Sequence, residues 1–94
     1  MRLLVLTPKF QRTFRKFVKR NPDLQERLED TLQEMEADVF SPNLGTHKLS
    51  GKLEGLQSCS CGYYCRVVFS IESDTDTNSE VIVLLDIETN DEEY

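Results

Sequence analysis

A chain of 94 residues has room for one hydrophobic core, so we expect a single domain spanning 1–94. With 38% hydrophobic and 30% charged residues, the composition is that of an ordinary globular protein and excludes a disordered one. No apolar run approaches the roughly 20 residues that a membrane span needs. The apolar run at the start is too short for a secretory signal, so we expect a cytoplasmic protein.

The charge is distributed unevenly along the chain. The formal net charge of −6 argues against nucleic acid as a partner. However, residues 1–20 carry +7, residues 21–45 carry −6, residues 46–71 carry +2 and residues 72–94 carry −9. Because salt screens charges beyond about 8–10 Å, a basic surface can exist on this acidic chain.

The first half of the chain predicts a strand and two helices. Arg2 to Leu6 is a brief apolar run typical of a strand. Thr7 and Pro8 supply an N-cap and a first helical residue, and the helix is expected to end near Arg20. The apolar stripe of this helix consists of Phe10, Phe14, Phe17 and Val18. Asn21-Pro22 repeats the capping signal before a second stripe of Leu24, Leu28, Leu32 and Met35, which completes a helical hairpin.

The second half predicts strands. A breaker cluster at 41–45 separates the helices from segments of alternating or β-rich character. His47 to Leu49 and Gly55 to Cys61 are weaker strand candidates, around Gly51 and Gly55. Tyr64 to Glu72 and Glu80 to Ile87 are better candidates because they are rich in Val, Ile and Phe, and a polar loop at 73–79 separates them. The order β-α-α-β-β-β predicts an α+β fold, in which the helical hairpin packs on a twisted, mainly antiparallel four-stranded sheet.

Three cysteines lie close together in this half, at positions 59, 61 and 65. Their odd number argues against a closed disulfide framework and is typical of a reducing compartment. A zinc site with His47 is an alternative, but the cysteine spacing is not a usual zinc spacing. A two- or four-residue turn near Gly62 would face Cys65 away from the other two, whereas a three-residue loop would bring all three to one face. We favour buried free thiols, and neither a metal nor a cofactor is expected.

Four segments together resemble the RelE/ParE superfamily toxins of type II toxin–antitoxin systems, in particular the RelE/YafQ-type mRNA interferase branch. They are residues 47–55 (HKLSGKLEG), Ser58-Cys59, residues 66–69 (RVVF) and residues 88–94 (ETNDEEY). The resemblance covers nearly the whole chain. It implies ribosome-dependent mRNA cleavage, in which the RNA 2′-hydroxyl attacks the adjacent phosphate, and three partners: a cognate antitoxin, the ribosome and mRNA. DNA is implied only for the toxin–antitoxin complex.

The resemblance also implies site residues on one face of the sheet and at the C-terminal tail. The positions that match are His47, Lys52, Arg66, Asn90 and Tyr94. Arg66 is the best candidate for phosphate, because its fork engages two oxygens at once. Tyr94 is expected to stack on a base or donate a proton. The basic residues expected to contact RNA are Arg12, Arg15, Lys16, Lys19 and Lys48.

Several positions depart from the pattern and leave alternatives open. Asn90 replaces a histidine and cannot titrate, and Glu88 replaces a glycine and adds a negative charge. Tyr64 and Ser60 stand where relatives carry an acid and a histidine. One alternative is therefore a degenerate toxin that only binds an antitoxin, and a weaker one is a ParE-like gyrase inhibitor. Arg66 also has a purely structural interpretation as a salt-bridge partner within its strand.

Overall fold

The computed structural model describes residues 2–62 and 65–89. Two helices, α1 (Pro8–Arg20) and α2 (Gln25–Asp38), follow the first strand. The strands are β1 (Leu3–Leu6), β2 (His47–Lys48), β3 (Gln57–Ser60), β4 (Cys65–Asp74) and β5 (Ser79–Thr89). Short 3-10 turns occupy Pro22–Leu24, Pro42–Leu44 and Gly51–Leu53. None of the helices in these described ranges is long and apolar enough to cross a membrane.

The N-terminal signals act as predicted at α1 but not at α2. The Thr7 hydroxyl accepts a hydrogen bond from the Phe10 backbone N–H at 3.1 Å, and Pro8 is the first helical residue. Asn21 does not cap α2, contrary to the prediction. Its side-chain amide instead donates to the Phe17 carbonyl at 3.1 Å, so it satisfies a carbonyl at the end of α1. The 3-10 turn that follows Asn21 delays the start of α2, which explains the difference.

The sheet confirms the predicted α+β class and contains one strand more than expected. Its order is β1-β5-β4-β3-β2, and β1 pairs with β5 in parallel while the other pairs are antiparallel. The two-residue strand β2 is the fifth member, at one edge. Strands β4 and β5 also extend into the predicted loop and leave a turn at residues 75–78. A register shift between Val68 and Phe69 interrupts their ladder.

The core lies between the helical hairpin and one face of the sheet. The helices contribute Phe10, Leu28 and Met35, all fully buried. The sheet contributes fully buried Val67, Phe69, Ile82 and Leu84. The predicted helical stripes are confirmed, since Phe14, Val18, Leu24 and Leu32 also pack against this cluster. Side chains at alternate strand positions face the helices, as the period of a strand requires.

All three cysteines face the helices and belong to this core. The Cys61 N–H donates to the Cys65 carbonyl at 3.0 Å, so the two residues oppose each other across a three-residue connection. A disulfide joins Cys61 to Cys65, with a Cα–Cα distance of 5.2 Å that lies in the usual range. The prediction of free thiols is therefore wrong for this pair, because the β3–β4 register, which pairs Ser60 with Arg66, places Cys61 opposite Cys65. Cys59 is free and buried, as expected.

Candidate functional site

The chemistry predicted from the sequence lies on the opposite side of the sheet, which we call the distal face. Arg66 and Val68 alternate with the core residues Cys65 and Val67, and they therefore point away from the helices. The register pairs Arg66 with Glu88 and Val68 with Asp86. Neighbouring positions of β4 and β5 thus bring a cation and two carboxylates to one region of this face.

A cleft of about 380 Å³ lies on this side of the sheet. Its apolar walls are Leu53, Leu56, Val68 and Leu85, and its polar lining is Thr7, Lys9, Asp86 and Glu88. Leu53 and Leu56 belong to the connection between β2 and β3, so this segment forms one wall of the cleft. Apolar walls with a few convergent polar groups are typical of a small-molecule or substrate site.

Two ion pairs lie at the cleft. The Nη2 atom of Arg66 is 3.7 Å from Oε1 of Glu88, and the two side chains are 25% and 32% exposed. The Nζ atom of Lys9 is 3.4 Å from Oδ2 of Asp86. Both distances exceed the range of N–H···O hydrogen bonds, so these contacts are loose ion pairs rather than tight bidentate ones. Their charges cancel within each pair.

His47 borders this region from strand β2. Its Nδ1 atom lies 3.0 Å from the Gly45 carbonyl oxygen, and its Nε2 atom lies 3.4 Å from the Ser58 hydroxyl. A carbonyl can only accept, so the hydrogen-bond network assigns the proton of the neutral ring to Nδ1. Nε2 then carries a lone pair and can accept a proton.

The histidine and the cysteines do not converge. Ser58, which contacts His47, precedes the core residue Cys59 in strand β3, so the two point to opposite faces. In the part of the chain that the structure describes, no group of three histidine, cysteine or acidic side chains could hold a metal ion.

The other predicted site residues outside α1 are the catalytic candidates Lys52, Asn90 and Tyr94 and the RNA-binding candidate Lys48. Lys52 is exposed in the 3-10 turn Gly51–Leu53, next to the cleft residue Leu53, and Lys48 is exposed on β2. Lys52 therefore lies beside a wall of the cleft. Lys48 follows His47 in β2 and is opposite Gln57, which is opposite the core residue Phe69, so Lys48 is on the core side of the sheet. Asn90 and Tyr94 lie outside the described residues.

The basic residues of α1 form a separate surface. Arg12, Arg15, Lys16 and Lys19 are all exposed on this helix. The helix buries Phe10 and Phe17 against the core side of the sheet, whereas Arg66 points to the distal face. None of these four residues lines the cleft, although Lys9 in the first turn of the same helix does.

Sequence reasoning missed three residues of the site, namely Lys9, Ser58 and Asp86. Asp86 was detectable as the only charge within the apolar run Val81 to Ile87. Lys9 entered the sequence analysis only as part of the positive charge of residues 1–20, whereas its position in the first turn of α1 places it at the cleft. The contact of Ser58 with His47 depends on the pairing of β2 with β3, which no local sequence pattern predicts.

The free thiol of Cys59 is chemically unlike the residues of the cleft. Burial, and to a smaller extent the negative charge of Glu34, raise its pKa to about 12. Because the thiolate is the reactive form of cysteine, this side chain is a packing residue rather than a nucleophile.

The fold defines a structural class: the chain has a RelE-like toxin fold. YafQ from E. coli strain BL21(DE3) superposes with a TM-score of 0.73 at 9% identity, over 97% of this chain and 96% of YafQ. A YoeB/ParE toxin from Agrobacterium tumefaciens gives 0.71 at 16% identity, with coverages of 93% and 96%. The E. coli DinJ–YafQ toxin–antitoxin complex gives 0.72 at 8% identity, with coverages of 99% and 97%.

These similarities are in structure and not in sequence. No protein-family model matches the sequence, and no curated protein matches it. At such low identities the three superpositions establish the fold and nothing finer.

Proposed function

We propose that this chain is the toxin component of a type II toxin–antitoxin system and acts as a ribosome-dependent mRNA endoribonuclease. The observation that carries the proposal is the position of Arg66, which stands beside an apolar cleft on the distal face of a RelE-like fold. A guanidinium on such a face suits the phosphate of an extended RNA strand.

The proposed reaction needs a proton acceptor, a proton donor and cations. The 2′-oxygen of the RNA forms a bond to the adjacent phosphorus as its proton leaves, and the bond from phosphorus to the 5′-oxygen breaks as that oxygen gains a proton. His47 is the proposed acceptor, because its Nε2 atom carries the lone pair. Arg66 and Lys52 would stabilise the charge on the pentavalent phosphate. Tyr94 remains the proposed donor, or a stacking platform for a base.

The proposed partners are a cognate antitoxin, the ribosome and mRNA, all in the cytoplasm. The antitoxin is supported by the similarity to YafQ in the DinJ–YafQ toxin–antitoxin complex. The basic surface of α1 is a candidate for contact with ribosomal RNA or with the antitoxin, because it carries four exposed cations, at positions 12, 15, 16 and 19, that do not line the cleft.

Controlled expression in a bacterial host tests the proposal. We expect growth arrest, relieved by a co-expressed antitoxin, and mRNA cuts in a reconstituted translation system only when ribosomes are present. Normal growth and intact transcripts at high levels of folded protein would contradict it. Inhibition of gyrase supercoiling without RNA cleavage would instead indicate a ParE-like inhibitor.

A second candidate is a catalytically degenerate toxin that only binds its antitoxin. The two ion pairs favour it, since the carboxylates of Glu88 and Asp86 lie against Arg66 and Lys9. If the parent is harmless and Asn90→His is toxic, this second function is supported. A toxic parent rules it out.

A further inference from the structure

Two carboxylates of the protein lie in the cleft where the phosphates of the proposed RNA substrate would bind. Glu88 lies directly across the ladder from Arg66, and Asp86 lies two residues earlier on the same side of β5. Both carboxylates line the cleft, together with Lys9. An RNA phosphate that approaches Arg66 therefore meets a carboxylate that already interacts with the guanidinium.

The geometry of the Arg66–Glu88 ion pair suits a carboxylate that can be displaced by another anion, rather than one that stabilises the fold. The separation of 3.7 Å is too long for a bidentate hydrogen-bonded pair, and both side chains are partly exposed. Ion pairs of this kind contribute little to stability, because water and salt screen them. The carboxylate can consequently rotate away from Arg66 at small cost, and its charge still opposes a polyanion within several ångströms.

We propose that Glu88 is an internal counter-anion that competes with substrate phosphate for Arg66 and so keeps the RNA affinity of the cleft low. The inference rests on the proposed function only in taking RNA as the ligand of the distal face. Glu88 is an affinity-determining residue that acts through Arg66, and it does not take part in bond making or breaking. Asp86 has the same relation to Lys9, with a smaller effect because Lys9 is 66% exposed.

Strand β5 offers a matched control for this role. Glu80 lies on the same strand and also pairs with an arginine, at 2.9 Å from Nη2 of Arg2. It does not line the cleft. Glu80→Gln and Glu88→Gln therefore remove the same charge from the same strand, and each breaks one arginine–glutamate pair. Only the second substitution changes the cleft.

The experiment measures binding of a fluorescein-labelled single-stranded RNA oligonucleotide to the purified full chain by anisotropy, over a series of salt concentrations. Glu88→Gln is expected to tighten binding by roughly three- to tenfold relative to the parent, the range that the loss of one nearby unit charge gives in a water-rich site. The slope of log K against log salt should become steeper by about 0.7, which corresponds to one additional phosphate contact on a single strand. Glu80→Gln should remain near the parent in both quantities.

The double variant Arg66→Ala/Glu88→Gln identifies the route of the effect. If Glu88 acts mainly through Arg66, its removal gains much less once the arginine is absent, so the double variant should bind RNA nearly as Arg66→Ala does. Urea-unfolding midpoints that match the parent's for both Glu88→Gln and Glu80→Gln would show that neither substitution acts through folding.

Three results would overturn the inference. They are equal tightening by the two glutamine variants, full retention of the gain in the Arg66→Ala background, and absence of RNA binding in the parent and in Glu88→Gln alike. The proposed function fails separately. A harmless parent with intact transcripts refutes that function even if Glu88→Gln binds RNA more tightly, whereas a toxic parent with an unchanged Glu88→Gln variant refutes only the counter-anion.

Discussion

The two faces of the sheet use the same strands for different purposes. Toward the helices, Val67, Phe69 and Leu84 are fully buried in an apolar core. On the distal face, Arg66, Asp86 and Glu88 are half-buried at a cleft, and their charges are arranged in pairs. Successive residues of one strand point to opposite sides of the sheet. A substitution at one position therefore affects core packing, whereas a substitution at the next position affects the candidate site. Stability should therefore depend on one face, and activity on the other.

The largest effect should come from the core face. Phe69→Ala is expected to lower the free energy of unfolding by about 3–5 kcal/mol, since it removes a fully buried ring and leaves a cavity. Urea denaturation checks this value. Leu3→Ala, on the same sheet but 65% exposed, should change stability by less than about 0.5 kcal/mol. Similar losses at the two positions would show that the core is not where the structure places it.

Arg66→Ala, on the distal face, should lower activity while leaving stability nearly unchanged. We expect an approximately 10²- to 10³-fold loss of RNA cleavage, the range seen when one group that stabilises a transition-state charge is removed. The urea midpoint should change little, because the side chain is not part of the core. Arg2→Ala is the control, since Arg2 pairs with Glu80 outside the cleft. A fully active Arg66→Ala variant would remove this residue from the mechanism.

The Cys61–Cys65 disulfide should have an intermediate effect on stability. Its closed loop is short, with a sequence separation of 4, so the loop-entropy relation gives about 2 kcal/mol. Thiol titration of the denatured, oxidised protein should find one free thiol, that of Cys59. Reduction should lower the melting temperature of the parent but not that of Cys61→Ser/Cys65→Ser. Three titratable thiols before reduction would show that the bond is absent.

An effect that is absent at neutral pH should appear only at alkaline pH. Burial raises the pKa of Cys59 from 9.0 to about 12, so the unfolded chain loses this proton at a lower pH than the native one. The associated stability is complete below pH 9 and falls as the pH rises toward 12, by no more than about 1.4 kcal/mol per pH unit. The difference between parent and Cys59→Ala in urea titrations isolates this contribution. A pH-independent difference would contradict it.

Local patterns were sufficient for the helices and for most of the sheet. The stripe from Phe10 to Val18 and the Thr7 cap predicted α1 because a helix repeats its buried face every three to four residues. The run from Tyr64 to Glu72, which is rich in residues that favour strands, similarly predicted β4. Asn21 was misassigned, since an asparagine beside a proline can satisfy either the end of one helix or the start of the next. The two-residue strand β2 is too short to have a period of its own.

The candidate site was predictable in its residue types but not in its pairing. The resemblance to the toxin family selected His47, Lys52 and Arg66, and the structure places His47 and Lys52 on a segment at the border of the cleft and Arg66 beside it. Glu88 was recognised as an unfavourable charge, yet its opposition to Arg66 follows from the β4–β5 register. Lys9 and Asp86 were not recognised as a pair, because 77 positions separate them in the chain.

The sequence by itself determined the class of fold, the two amphipathic helices, the apolar strands and the identity of the chemically capable side chains. These properties depend on contacts within a few residues, and hydrophobic periodicity records them directly. The tertiary structure alone decided that Lys9 lines the cleft while the other basic residues of α1 do not, that Cys61 and Cys65 oppose each other, and that Lys9 and Arg66 each face a carboxylate. Those outcomes depend on strand register and sheet order, which bring together residues that are far apart in the chain. No periodic pattern in the sequence records such long-range pairings.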